Sequence, residues 1–148
     1  MRTLAPFCIA ALLGVTIVCA QDDVQPVRFD AIDVYVQTGD EPLAAYQLDL
    51  SAEKGDVTIV GIEGGESDIF TVPPYYDPTA IQNDRVIIAY FSTAAADALP
   101  RGKVRIATIH VQIVGDVQPK YDARLTVAAT VDGEPIDAEL ILETGSTQ

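Results

Sequence analysis

The sequence predicts an all-β fold, a two-sheet antiparallel β-sandwich of jelly-roll type. Two observations carry this. Seven short runs combine apolar alternation or apolar filling of both faces with Gly, Pro and Asp at their ends, and no segment sustains a helical periodicity long enough to compete with them. A third bears on what holds the fold together: both cysteines, Cys8 and Cys19, lie in the first twenty residues, so the predicted domain has no disulfide and rests on burial of apolar surface, worth ~25 cal/mol per Å².

Residues 1–20 read as an export signal. Arg2 supplies the positive start, residues 7–20 form an apolar run interrupted only by Gly14 and Thr16, and this run is shorter than the ~20 residues a membrane-spanning helix needs. Val18-Cys-Ala20 predicts cleavage before Gln21, with an uncleaved anchor as the alternative. Residues 21–29 are expected to be a polar entry segment, 30–144 the sandwich domain and 145–148 a polar tail.

The first strand is expected over 32–37, where Ile32, Val34 and Val36 alternate with Asp33, Tyr35 and Gln37. A Gly- and Pro-containing turn at 38–42 leads into 44–50, with Ala44, Tyr46, Leu48 and Leu50 on one face. The polar break at 51–55 separates this run from 57–62, and the two are expected to be neighbouring strands of one sheet. Because Val57, Ile59, Val60 and Ile62 are apolar in both phases, the second run reads as a central strand or one covered on both sides.

Residues 69–72 form a short extended piece before the stretch 73–78, PPYYDP, whose three prolines remove backbone donors and exclude a central strand. Residues 85–91 are again apolar in both phases, 93–99 allow one helical turn, and 103–114 give the longest strand, with Ala107, Ile109, Val111 and Ile113 inward and Thr108, His110 and Gln112 outward. Runs at 121–131 and 136–143, with VDGEP between them as a turn, complete the set.

The formal net charge is −13. Losing Arg2 with the signal leaves eight basic against 22 acidic residues, or −14. An acidic excess spread along the chain argues against nucleic acid as a partner. No Ser stands in a nucleophile elbow, and no phosphate-binding glycine loop or zinc motif occurs, so the reading is a non-catalytic protein with no cofactor. The one histidine, His110, has no ligand or carboxylate partner at useful spacing and reads as a solvated strand residue. Asp77, Asp84, Asp132 and Asp137 offer hard oxygen ligands for a loop calcium if they converge, but their spacing is not that of a calcium loop and turn capping is the favoured role.

Two candidate contact sites follow. Tyr75 and Tyr76 sit on a proline-stiffened loop, where rings offer stacking surface for a glycan at small entropic cost. The second is the outward face of 57–62, 86–91 and 125–131, where Thr58, Ile87, Thr126, Ala128 and Thr130 would let another protein lie close.

The order of the strands resembles the cohesin-like and carbohydrate-binding-module-like superfamily of exported bacterial sandwiches. The resemblance rests on AYQLDL at 45–50 followed by VTIVGI at 57–62 and a glycine pair, then RVIIAYF at 85–91 and GKVRIATIHVQI at 102–113, and covers 30–144. It implies a binding module, exported to the periplasm, cell surface or medium. Its partner would be a protein of dockerin type docked on a sheet face, or a polysaccharide. A passive cell-surface component is the remaining alternative.

Overall fold

A computed structural model describes residues 24–82 and 84–145. The predicted signal and its cleavage site, both cysteines and all but the first residue of the predicted tail lie outside the described residues. Eight strands form two four-stranded antiparallel sheets. The strands are β1 (Val27–Gln37), β2 (Ala45–Lys54), β3 (Asp56–Gly64), β4 (Tyr75–Tyr76), β5 (Arg85–Phe91), β6 (Lys103–Val114), β7 (Lys120–Ala129) and β8 (Glu139–Gly145), with one short helix, α1 (Pro78–Ile81), between β4 and β5. The first sheet has the order β3-β6-β1-β8 and the second β4-β5-β2-β7. The all-β sandwich expected from the strand pattern is the observed architecture.

The inward rows are those that alternation picks out. Ile32, Val34 and Val36 of β1, with Ile109, Val111 and Ile113 of β6 beside them in the first sheet, join Leu48 and Leu50 of β2 from the second sheet in one buried cluster. β1 begins at Val27, earlier than the expected 32 and inside the expected entry segment, because Arg28 pins its start: Nη1 donates to the Gly115 carbonyl at 2.6 Å and Nη2 to that of Val117 at 3.0 Å.

Three corrections concern how strands are joined. The runs at 44–50 and 57–62 are not neighbours: β2 lies in the second sheet and β3 in the first, with only Gly55 between them. Gly55 has φ +97°, in the region that favours glycine, and turns the chain from one sheet into the other at a corner. β3 is an edge strand, not a central one. Its side-chain phase shifts between Ile59 and Gly61, so Val60 is an extra, unpaired residue that points outward and is 50% exposed. The turn after β7 forms, but the run expected after it is divided between the two sheets. β8 starts at Glu139 and pairs with β1 in the first sheet, while Pro135 and Ile136 run back along β7.

A second phase shift explains β6. Val34 pairs with Ala107 but Tyr35 with Arg105, so Ile106 is extra and the inward row switches there from Val104 and Ile106 to Ala107, Ile109, Val111 and Ile113. Thr108 keeps its outward direction yet is buried, because its hydroxyl donates to Asp33 at 2.6 Å and accepts from Arg105 at 2.5 Å. Residues 93–99 form a turn closed by Ala98 N–H on the Ala95 carbonyl and no helix. α1 was not expected: Asp77 caps it by accepting from the N–H groups of Thr79 and Ala80, and Pro78 starts it without a wasted donor.

One end of the core is aromatic. Tyr46 stacks on its cross-strand partner Tyr90 at 6.2 Å, and Phe70 meets both edge-on at 5.4 Å. The Tyr46 hydroxyl donates to the Ile106 carbonyl at 3.2 Å, which ties the second sheet to the first. Burial, with a smaller contribution from Tyr90, pushes the Tyr46 phenol far above its ordinary value of 10.0. The unfolded phenol ionises near that ordinary value, so the stability contributed by neutral Tyr46 is complete below it and falls as pH rises above it toward the folded-state value. Tyr46→Phe is therefore expected to lose less stability than the unaltered protein between about pH 9 and about pH 11, at up to ~1.4 kcal/mol per pH unit. Urea melts at the two pH values measure the difference, and equal losses would refute the assignment.

Candidate functional site

The two outer faces of the sandwich differ in chemistry. On the first sheet Lys103 pairs with Glu143, Arg105 with Asp33 at 3.5 Å, and His110 with Glu63, whose Oε1 lies 3.1 Å from Nε2 but without hydrogen-bond alignment, while Phe29 and Val60 on the same face stay exposed. The Lys103 ammonium also lies 4.4 Å from the Tyr35 ring centre. His110 is thus half-covered beside a carboxylate, in contrast to the solvated residue expected. Gly61 stands opposite it on β3, its Cβ position in ordinary van der Waals contact with the ring at 3.6 Å.

The outer face of the second sheet follows from its register. Residues directly opposite share a face, so Tyr75, Ala89, Gln47 and Val127 form one row across four strands, about 14 Å long. Phe91, Ala45 and Ala129 form the next row on one side, and Ile87, Asp49 and Arg124 the next on the other. Tyr75 is 70% exposed, Phe91 64% and Val127 42%. Charge is confined to one end, where Arg85 donates from Nε to Asp49 Oδ1 at 2.7 Å and from Nη2 to Oδ2. That fork, with smaller help from Arg124, holds the Asp49 carboxyl below its usual value against the opposing effect of burial.

The expected site residues are placed as follows. Tyr75 and Tyr76 occupy the two-residue edge strand β4, as the prolines around them permit. They point to opposite sides: Tyr75 pairs with outward Ala89, and Tyr76 with inward Ile88. Both are exposed, so the two rings do not make one platform. Of the expected docking residues, Thr58 lies on the first sheet and the other four on or beside the second, so they do not share a face. The separation has the same cause as the corner at Gly55, which sends β3 into the opposite sheet. Ile87 lies on the outer face and is partly covered. Thr126 is the extra residue of a bulge between the Leu48–Leu125 and Gln47–Val127 pairs, with its hydroxyl donating to the Gln47 carbonyl at 3.0 Å. Ala128 points into the core opposite Tyr46 and is buried, because that bulge reverses the phase of β7. The Thr130 hydroxyl accepts from the Glu134 N–H at 3.3 Å and closes the turn.

The calcium quartet does not converge. Asp77 and Asp84 flank α1 beside β5, and Asp132 and Asp137 lie beside β7 at the opposite edge of the second sheet. Among the described residues no three of His, Cys, Asp and Glu gather as a metal site, and no helix is long and apolar enough to cross a membrane.

Phe91 is the residue that sequence reading passed over. In 85–91 both phases are apolar, and only pairing of Tyr90 with buried Tyr46 shows that Phe91 is the outward one. No family model, curated protein or solved structure matches the chain.

Proposed function

We propose that this chain is an exported, non-catalytic binding module that docks another protein on the outer face of its second sheet. The observation that carries the reading is the make-up of that face: Phe91, Tyr75 and Val127 stand uncovered on adjoining rows with charge at one end only, whereas on the first sheet exposed Phe29 and Val60 share the face with ion pairs. Uncovered aromatics on a rigid sheet are the kind of anchor that dominates protein interfaces, and a charged end orients the partner. The export-signal pattern and the resemblance to cohesin-like sandwiches support the same reading.

A glycan is the second reading, favoured by the outward rings of Tyr75 and Phe91 beside the Gln47 amide on one flat face. Placing a charge on the strip separates the two. Phe91→Glu is expected to lower capture of a secreted partner by about tenfold or more, while melting at the same temperature as the unaltered protein. Tyr75→Ala is expected to abolish signal on a glycan array if the ligand is a sugar. Capture unchanged by Phe91→Glu would overturn the docking reading, and an array without signal would overturn the glycan one.

A further inference from the structure

A separate groove of about 440 Å³ opens at the other edge of the molecule, between β3 and the β4–α1 segment. One wall is the run Ile59–Gly61–Ile62 with the bulged Val60, and the other is Tyr76, Pro78, Ile81 and Gln82. Ile62 and Ile81 pack against the core from this side, so the groove floor is the margin of the core itself. Tyr76 is the inward-directed residue of the edge strand, and it is exposed in the groove.

β3 pairs with β6 on one side only, and among the described residues no strand pairs with its other side. Its ends are closed. Gly55 turns the chain against Pro119 at the start, and the segment at Phe70 and Thr71 crosses Gly64 at the finish. What stays open is the middle of the strand, about five residues, the length of an ordinary strand. The free N–H and C=O groups there, to either side of the bulge at Val60, are complemented by another polypeptide backbone laid alongside as a strand.

Three carboxylate residues, Glu63, Asp77 and Asp84, lie within two residues of the lining residues in the chain, and among the described residues no basic one lines the groove. Arg85 is already engaged with Asp49 on the outer face. A second copy of this chain would bring the same three carboxylates and the same net charge of −13 against it. We infer that the open edge of β3 and the groove beside it take up an extended segment of a different polypeptide. That segment adds as a strand, turns alternate apolar side chains into the groove against Tyr76, Ile62 and Ile81, and carries Lys or Arg on its other face.

The site is independent of the outer-face docking surface, which lies on the second sheet. The test is titration of the 15N-labelled protein with the heptapeptide KVKVTVK, its acidic counterpart EVEVTVE, and KVKPTVK, which lacks a backbone donor at its centre. The basic peptide is expected to shift amides of 57–62 and 76–82, with affinity falling about tenfold or more on adding salt or in the Tyr76→Ala variant. The acidic and proline peptides are expected to produce no shifts there. The inference is overturned if the basic peptide leaves these amides unmoved at millimolar concentration, if the acidic peptide binds as well, if shifts fall on the outer face of the second sheet, or if dilution alone moves the β3 amides, which would identify a second copy as the occupant.

Discussion

Phe70→Ala is expected to lower the unfolding free energy by about 3–5 kcal/mol, a large part of the ~5–15 kcal/mol that holds a typical domain together. Phe70 is completely buried and stands edge-on to both Tyr46 and Tyr90 at 5.4 Å. Removing its ring leaves a void between side chains that are themselves held: Tyr46 by its hydrogen bond to Ile106, and Tyr90 by pairing with Tyr46. A site that cannot collapse pays the cavity term as well as the lost transfer energy. The melting temperature is expected to fall by about 10 °C or more. Phe29→Ala is the control, since Phe29 is 65% exposed and its loss should cost within ~0.5 kcal/mol. Thermal melts followed by circular dichroism compare the two, and similar small changes in both would refute the central place given to Phe70.

Gly65→Ala is expected to be comparably damaging, at about 3 kcal/mol or more, for a different reason. A Cβ at Gly65 would lie 2.0 Å from the Arg105 carbonyl oxygen and 2.8 Å from the Ile106 Cα, and both are backbone atoms that no rotamer change can move aside. The close approach is held by Gly65 N–H donating to Phe70 and Glu66 N–H donating to Arg105 at 3.1 Å. Gly64→Ala should behave alike, since its Cβ would fall 2.2 Å from the Thr71 carbonyl oxygen. Gly39→Ala provides the contrast: φ is +62° but nothing lies within 4 Å, so only backbone strain of about 1–2 kcal/mol is expected. Urea melts of the three variants give the order. A Gly65 variant no worse than the Gly39 variant would show that the 64–71 crossing is not rigid. Because this crossing also closes the far end of the β3 groove, the Gly65 variant should lengthen the strand edge that solvent can reach, detectable as faster amide exchange at 60–64.

The rows of the core were legible because alternation states a face directly. In 32–37 and 44–50 polar residues separate the apolar ones, and the buried set is the one the pattern names. Where apolar residues fill both phases, in 57–62 and 85–91, the pattern no longer distinguishes inside from outside. Val60 and Phe91 are the residues affected, one turned out by a bulge and the other outward by register alone. Phe70 was equally hidden. It lies in a short stretch outside any strand, SDIFTV, and nothing local marks it as the residue that closes the aromatic end of the core.

The candidate surfaces divide along the same line. Tyr75 and Tyr76 could be singled out because proline stiffens their loop, but the opposite directions of their rings depend on pairing with Ala89 and Ile88. Thr58 groups with Ile87 and Thr126 only if 57–62 shares an outward face with 86–91 and 125–131, and β3 lies in the other sheet. A strand of five or six residues pairs equally well after a hairpin or after a corner, and the choice at Gly55 is made by which sheet the apolar face can reach.

By itself, then, the sequence determined the class of fold, the strand count to within one, the inward rows of β1 and β2, and the dependence of the domain on apolar burial. Those properties follow from local alternation, turn residues and composition, which act over a few residues. The tertiary structure decided which strands are neighbours, where the three phase shifts that aim Val60, Ile106 and Thr126 fall, and which face is left uncovered. Those depend on hydrogen-bond register between segments distant in the chain, and a one-residue slip in register exchanges core and surface without altering a single letter of the pattern.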